Sequence, residues 1–412
     1  MRSFSRLRNA KQIKTSLGIF LIPYGLIYLC DSVLTYMFPL QVDGRLQNPY
    51  LIGFVIAFAA LGSLLTDAAL PTFFKRFHWK RLMQIGALTS VLFPTLTFVG
   101  LQYENIFFLF IASFISGIYY EFISYALNQF IRNVETVKEI EKDWSVVSIL
   151  SSFLDFSAVL MGNLFLILSL VFSVLFVIPL QLTAILFLFL VYTKVKDQPL
   201  VGITKTANSA AFFSEFFVFV RLLFQQKTAV LLFSAVWIFD ALIWTYGGIW
   251  SAEKFGLQFA WVIVAIYQIF AVVGSAIMAR YPIIKNQQIY SAVTLTIANM
   301  LFLGLFYATN YYLFFLLLIL GTVFHSINFP LTDTILTTLA KKNNNDGDDL
   351  IGLKRLVYSI AYIFSPIIGG FIGEYSGFSF LFGIFNITFI VIFSLLTIYF
   401  TRDFIKQKIR IT

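Results

Sequence analysis

Charged residues are scarce in this sequence. Only 12% of its 412 residues are Asp, Glu, Lys or Arg, about half of the roughly 25% found in a soluble domain, and 59% are hydrophobic. This composition excludes a soluble domain as the main body of the chain. The net charge of +9 would suggest nucleic acid as a partner of a soluble protein, but in an apolar chain basic residues indicate topology, and we expect no nucleic-acid partner.

Cysteine and catalytic motifs are nearly absent as well. The one cysteine, Cys30, lies within an apolar run, so we expect neither an intramolecular disulfide nor a thiolate metal site. The sequence holds no Gly-x-x-x-x-Gly-Lys-Ser/Thr, His-Glu-x-x-His or Gly-x-Ser-x-Gly pattern, the motifs of ATP binding, zinc proteolysis and serine hydrolysis. We therefore expect no cofactor, no metal and no enzymatic activity.

Long apolar runs are abundant. Twelve are long enough to cross a bilayer as helices, and we number them spans 1 to 12. They run over 15–40, 49–71, 82–101, 105–131, 144–167, 171–193, 227–250, 257–280, 289–308, 312–339, 351–373 and 378–401. The expected fold class is an all-α membrane protein with 12 transmembrane helices, inserted in the plasma (inner) membrane as a multi-pass protein.

Basic residues alternate between the two sides of this arrangement. With the N-terminus inside, all of the 29 Lys and Arg residues except Arg45 and Lys254 fall in segments that face the cytoplasm. Since positively charged loops stay on the cytoplasmic side, we expect both termini to be cytoplasmic. A missed span would exchange the inner and outer sides of every loop that follows it. The separation of basic residues onto one side therefore also supports the number twelve.

The chain has two halves with weak internal similarity. We predict a six-helix bundle over 1–193, a cytoplasmic linker with an amphipathic helix over 194–226, and a second six-helix bundle over 227–412. Similar segments recur at offsets of 209, 204 and 212 residues, which favours duplication of a six-helix unit. The matching segments are Ile27-Tyr-Leu-Cys-Asp31 with Val236-Trp-Ile-Phe-Asp240, Gly117-Ile-Tyr-Tyr-Glu121 with Gly321-Thr-Val-Phe-His325, and Gly62-Ser63 with Gly274-Ser275.

This organisation resembles the major facilitator superfamily (MFS), whose fold is two six-helix bundles joined by a cytoplasmic linker. The most specific similarity is span 11, Tyr358-Ser-Ile-Ala-Tyr-Ile-Phe-Ser-Pro-Ile-Ile-Gly-Gly-Phe-Ile-Gly373, which looks like the Gly/Pro-rich eleventh helix common in that family. The drug-exporter signature of the family's fifth helix, Gly-Pro followed by Gly-Gly, is absent, and Asp155 lies there instead. That absence weakens drug export as an interpretation.

The family's loop motif after the second helix is only partly met. Ser63 and Asp67 occupy its Gly and acid positions, while the basic residues come late, at Lys75, Arg76, Lys80 and Arg81. The resemblance implies that Asp67 forms an inner gate, with its carboxylate accepting from Arg132 at the end of span 4 or from the N-terminus of span 11. An interfacial charge in water is the alternative.

Five ionisable residues lie near the middle of predicted spans. Each costs about 2.5 to 3.5 kcal/mol on insertion scales, so each is a functional candidate. In the resembled family helices 1, 4, 7 and 10 line the central cavity, and here each of those spans carries one such group. We interpret the five as proton-coupling or cavity residues, with a structural hydrogen bond as the alternative, and we expect Asp31 and Glu121 to carry the proton step. They are Asp31, Glu121, Asp155, Asp240 and His325.

Fixed cations are missing from the middle of the spans, which disfavours anionic substrates. Aromatic and amide side chains at mid-span can stack on a sugar or an organic cation, although packing is the commoner role for any one of them. The substrate-contact candidates are Tyr28, Tyr36, Tyr120, Asn128, Trp237, Trp244, Tyr267, Gln268 and Asn299.

Together these features predict a secondary active transporter that works by alternating access, is coupled to protons and moves a small neutral or cationic solute, acting as a monomer in the lipid bilayer. A drug or lipophilic-cation efflux antiporter is the alternative within transport. A membrane-embedded lipid-handling protein or enzyme is the alternative from another class. Short outer loops and mid-span acids favour transport over that class, because catalytic acids would be expected at a membrane face.

Overall fold

The computed structural model describes the backbone of residues 2–73, 78–134, 137–169, 171–192, 221, 224–281, 283, 285–342 and 347–411. Side chains are described for 20–67, 78–127, 130, 147, 149–169, 171–190, 221, 224–278, 280–281, 283, 285–336 and 354–402.

Regular structure in the described part of the chain is helical throughout. Two of the predicted spans each consist of two consecutive helices: span 3 divides after Ser90 and span 10 after Ser326. A short 3-10 turn, Leu257–Phe259, precedes span 8. The helices are Arg2–Leu46, Pro49–Phe73, Trp79–Ser90, Leu92–Gln102, Ile106–Val134, Val137–Leu168, Ser173–Tyr192, Lys227–Phe255, Trp261–Arg280, Gln287–Tyr307, Tyr311–Ser326, Asn328–Lys342, Gly347–Ser376 and Phe378–Ile411.

Within the described residues, twelve helical stretches are long and apolar enough to cross a membrane. Their number and order confirm the prediction of twelve spans. The predicted turn between spans 5 and 6 is also found, because one helix ends at Leu168 and the next begins at Ser173. The stretches are Phe20–Leu46, Pro49–Asp67, Trp79–Gln102, Ile106–Leu127, Ile149–Leu168, Ser173–Leu190, Lys227–Phe255, Leu257–Met278, Gln287–Tyr307, Tyr311–Leu336, Lys354–Ser376 and Phe378–Arg402.

The chain divides into two compact units. The first unit comprises Met1–Gln47 and Val55–Ser209, and the second comprises Asn48–Phe54 and Ala210–Thr412. The predicted boundaries of the two bundles stay a prediction. The predicted linker with its amphipathic helix falls largely on 193–220 and 222–223, which lie outside the described residues.

Each unit has an apolar core of its own. In the first unit the ring of Phe20 stacks on Phe130 at a centroid distance of 4.2 Å and meets Trp79 edge to face at 5.4 Å. In the second unit Phe233 and Phe393 belong to a buried cluster of aliphatic and aromatic residues contributed by several spans. Packing of large side chains therefore fixes the helices of each unit around a separate centre.

Glycines let particular helices approach backbone to backbone. In the first unit a Cβ atom at Gly117 would lie 1.8 Å from the carbonyl oxygen of Ala59, and one at Gly62 would lie 2.2 Å from that of Phe114. Spans 2 and 4 can therefore touch only because both positions lack a side chain. In the second unit a Cβ atom at Gly274 would lie 2.7 Å from the carbonyl oxygen of Val323. Spans 8 and 10 therefore also approach each other backbone to backbone.

Candidate functional site

A cavity of about 240 Å³ opens within the first unit, between spans 1, 4 and 5. Its span 1 residues follow the spacing i, i+3, i+4, i+7, which places them on one helix face. Asp31 is the single charged residue among the lining residues described, and the wall has no Lys or Arg. The cavity is lined by Tyr24, Ile27, Tyr28, Asp31, Tyr119, Tyr120, Ile123, Ser124, Leu127, Val147 and Ser151.

The carboxylate of Asp31 is held by a tyrosine from a neighbouring helix. The hydroxyl of Tyr119, a fully buried residue of span 4, donates a hydrogen bond to Oδ1 of Asp31 in span 1. A hydroxyl donor compensates part of the cost of taking a carboxylate out of water. Asp31 is therefore half-buried, hydrogen-bonded and still in contact with the cavity.

Asp155 of span 5 accepts two hydrogen bonds from span 1. Tyr28 donates to its Oδ2 over 3.1 Å, and Ser32 donates to its Oδ1 over 2.7 Å. These contacts tie spans 1 and 5 together behind the cavity wall that Tyr28 helps to form. Glu121, the other predicted acid of this unit, is buried in span 4 and is not among the lining residues.

The predicted ionisable residues of the second unit form a separate group. Asp240 of span 7 is only 5% exposed and accepts at Oδ2 a hydrogen bond from the hydroxyl of Tyr362 in span 11. The hydroxyl of Tyr267 in span 8 makes the second polar contact of this group. The same hydroxyl lies 3.2 Å from Nδ1 of His325 in span 10.

His325 is enclosed by aromatic rings. It is 1% exposed, and its ring centroid lies 5.0 Å from that of Phe239, 5.5 Å from Phe329 and 6.2 Å from Phe302. Its Nε2 atom is buried and has no hydrogen-bond partner among the described residues. One ring nitrogen of His325 thus faces the tyrosine, while the other has no partner in the part of the chain that the structure describes.

The remaining candidates for substrate contact lie in both units. Tyr36 bonds to Asn163 over 3.4 Å, Trp237 packs against Phe329 and Tyr358, and Tyr120 lies in the cavity wall. Other candidates are buried or half-buried without a contact to that cavity, namely Trp244, Gln268 and Asn299. The side chains of Asn128 and Arg132 lie outside the described residues, so the predicted latch between Asp67 and Arg132 stays a prediction.

Sequence reasoning missed the two tyrosines that donate to the mid-span aspartates. Tyr119 and Tyr362 are two of 20 tyrosines, and no local signal distinguishes a tyrosine that faces an acid from one that faces lipid. Tyr24 and Ser151 were also not expected in the cavity wall. Among the described side chains, no three His, Cys, Asp or Glu residues come together as a metal site.

Known protein families and curated proteins provide no match to this chain. Several solved structures, in contrast, match nearly the whole chain. The nucleoside transporter NupG is 17% identical, with a TM-score of 0.70 over 95% of this chain and 99% of that chain. A structure from the proton dependent oligopeptide transporters is 12% identical, with a TM-score of 0.71 over 94% and 98%. The fucose:proton symporter FucP of E. coli is 18% identical, with a TM-score of 0.57 over 94% and 98%.

The similarity to these structures covers nearly the whole chain and extends to both of its units. The protein is therefore a multi-pass membrane protein of twelve apolar helices. Its fold is that of the major facilitator superfamily, as the sequence predicted, and the solved structures that share it are transporters.

Proposed function

We propose that the protein is a secondary active transporter that works by alternating access and uses a proton gradient to move a small neutral or cationic solute. The observation that carries the proposal is the cavity of the first unit, in which one half-buried carboxylate, Asp31, shares a wall with tyrosines and small polar residues. The fold supports transport, and two of the similar structures are described by their names as proton-dependent.

The chemistry of the cavity wall favours a neutral or cationic solute. A carboxylate attracts a cation or accepts from hydroxyl groups, while an anion would need a fixed positive charge that the lining residues do not supply. The hydroxyl groups of Tyr28, Tyr120 and Ser124 add hydrogen-bonding partners, and the tyrosine rings offer flat faces for stacking. About 240 Å³ is below the volume of most drug-sized sites, which suits a small solute.

Asp31 is the residue on which we place the proton step, together with Glu121 in the same unit. A carboxyl group in a low-dielectric site can hold a proton when the site faces one side of the membrane and release it on the other. Protonation of Asp31 also removes the negative charge from the cavity wall, so binding of a proton and binding of a cationic solute would oppose each other there. For a neutral solute the proton would instead change which hydrogen bonds the wall can make.

The test uses purified protein in lipid vesicles. A thermal-shift screen of sugars, nucleosides and lipophilic cations first identifies a solute that binds. Asp31→Asn and Glu121→Gln keep the shape of the side chain but cannot exchange a proton, so we expect each to abolish accumulation driven by a pH gradient while counterflow exchange of solute survives. Glu374→Gln is the control, because it makes the same chemical change at an exposed glutamate near the end of span 11, and it should retain accumulation.

Normal accumulation by both Asp31→Asn and Glu121→Gln, with the usual dependence on the pH gradient, would show that these two acids are structural. Loss of counterflow as well as accumulation would instead assign Asp31 to solute binding. Movement of a cation in the direction opposite to that of the protons would favour the antiporter over the symporter.

A further inference from the structure

Two tyrosines of the cavity wall in the first unit direct their hydroxyl protons at carboxylates. Tyr28 donates to Oδ2 of Asp155 over 3.1 Å, and Tyr119 donates to Oδ1 of Asp31. Each of these hydroxyl groups therefore has only its oxygen left to offer a bound molecule, as an acceptor. Oδ2 of Asp31 has no hydrogen-bond donor among the described residues, so it too can act toward a ligand only as an acceptor or a negative charge.

Aromatic rings make up much of the same wall. Tyr24 and Tyr28 of span 1 stack on each other, with ring centroids 5.7 Å apart and ring planes inclined by 28°. Tyr119 and Tyr120 line the cavity from span 4. The face of an aromatic ring carries partial negative charge and attracts a cation placed over it. The rings, the hydroxyl oxygens and the carboxylate thus favour a ligand of the same, positive charge.

The carboxylate of Asp31 has no fixed cation beside it. The described lining residues include no Lys or Arg, and neither of the ion pairs found in the described part of the chain includes Asp31. Taking a carboxylate out of water without a positive partner is costly. A cationic ligand would supply that partner, whereas an anionic ligand would be repelled.

The rest of the wall determines which kind of cation fits. Its aliphatic members, Ile27, Ile123, Leu127 and Val147, offer methyl groups and no hydrogen bond. A primary ammonium has three N–H donors and is strongly hydrated, so it loses much of its hydration against such a wall. A quaternary ammonium has no N–H group, and its methyl groups can contact aliphatic side chains and ring faces alike. A volume of about 240 Å³ suits a small cation of this kind.

We propose that the cavity of the first unit binds a small quaternary ammonium cation, with Asp31 as its counter-ion and the tyrosines of spans 1 and 4 around its methyl groups. This inference rests on the proposed function and narrows it from a neutral or cationic solute to one substrate class. Sugars and nucleosides are less suited to the wall, because they need hydrogen-bond donors that Tyr28 and Tyr119 already direct at carboxylates.

Equilibrium binding to the purified full chain in lipid nanodiscs tests the proposal without any gradient. Isothermal titration calorimetry compares choline and tetramethylammonium with the neutral isostere of choline, in which a quaternary carbon replaces the nitrogen. We expect choline to bind at least about tenfold more tightly than its isostere, because the two share a shape and differ in charge. Asp31→Asn keeps the shape of the side chain but not its charge, so it should reduce this preference to a few-fold. Glu374→Gln, at an exposed position of span 11, should keep the full preference.

The contribution of the rings is tested at Tyr120, which lines the cavity and is 37% exposed. Tyr120→Leu should bind choline about fivefold more weakly than Tyr120→Phe, because only phenylalanine keeps the ring. Tyr312→Leu is the matched control, since Tyr312 is 86% exposed and belongs to the second unit, and it should bind choline as the wild type does. Melting curves verify that each variant is folded, and the pair at Tyr120 suffices if Asp31→Asn does not fold.

Three outcomes would overturn the quaternary ammonium site: equal affinity for choline and its isostere, equal affinity of Tyr120→Leu and Tyr120→Phe for choline, or no binding of either ammonium to the folded protein. Failure of the proposed function gives a different result. If choline binds as expected but is not accumulated in vesicles, transport is refuted and the site stands. If a neutral solute is accumulated by a protein that binds neither ammonium, the site is refuted and transport stands.

Discussion

Two mid-span aspartates accept from the hydroxyl of a tyrosine on another helix, Asp31 from Tyr119 and Asp240 from Tyr362. The physical reason is common to both: a carboxylate buried without a donor costs several kcal/mol, and a tyrosine provides the donor on an otherwise apolar side chain. The aspartates could be predicted from the sequence, because charge within an apolar run is conspicuous. The tyrosines that donate to them could not be predicted, because only the packing of the helices shows which tyrosine faces an aspartate.

Tyr119→Phe should lower the stability of the first unit. The change keeps the buried ring but removes a hydrogen bond to a charged group, which is worth about 1.5–3 kcal/mol. Thermal unfolding in detergent should therefore show a lower midpoint. Tyr103→Phe is the control, since Tyr103 is 75% exposed and should leave the midpoint unchanged. Equal midpoints for the two variants would contradict the stabilising role of the Tyr119 hydroxyl.

At the scale of the helix, some close approaches between backbones occur at glycines that the internal repeat had partly indicated. Gly62 and Gly274, 212 residues apart, both permit contact between neighbouring backbones. Gly117 and Gly321 differ: a Cβ atom at Gly117 would meet backbone, whereas one at Gly321 would lie 2.7 Å from the ring of Phe302. Sequence similarity identified the pairs, but what each glycine touches depends on side chains from other spans.

Gly117→Ala should disrupt the packing of spans 2 and 4. Its Cβ atom would lie 1.8 Å from a carbonyl oxygen, so the two backbones must separate, at a cost of about 1–3 kcal/mol for an overpacked interior. Gly383→Ala is the matched control, because its Cβ atom would lie 3.9 Å from the ring of Phe306, an ordinary contact. Folded yield and melting temperature should fall for the first variant only; comparable losses in both would argue against a tight contact at Gly117.

For the whole molecule, apolar runs and their lengths were sufficient to predict twelve spans, and the resemblance of the two halves and of span 11 to the MFS predicted the fold. Hydropathy alone does not show that spans 3 and 10 are each built of two helices, although Pro94 and Pro330, in the first turn of the second helix of each span, are a local signal for such a break. Nor does it show that Asn48–Phe54, the beginning of span 2, groups with the second unit. That grouping depends on tertiary packing between elements far apart in sequence.

The orientation of the chain is a prediction that labelling can test. Cysteines placed at Arg45 and Lys254 should react with an impermeant thiol reagent on intact cells, and those at Lys80 and Lys341 only after permeabilisation. Arg45 forms an ion pair with Glu104 over 2.9 Å, so Glu104→Cys must react from the same side as Arg45→Cys. Labelling of Lys80→Cys on intact cells would exclude both the predicted orientation and the assignment of loops to sides.

Cys30 makes the wild-type chain a convenient starting point for distance measurements. Its thiol is fully buried, with 0% exposure, and it directly precedes Asp31, which lines the cavity. Because a buried thiol is inaccessible to reagents, spin labels can be attached to introduced cysteines, one in each unit, without first removing the native cysteine. Pulsed electron paramagnetic resonance on such pairs would then report the distance between the units at each stage of a transport cycle in the otherwise unaltered protein.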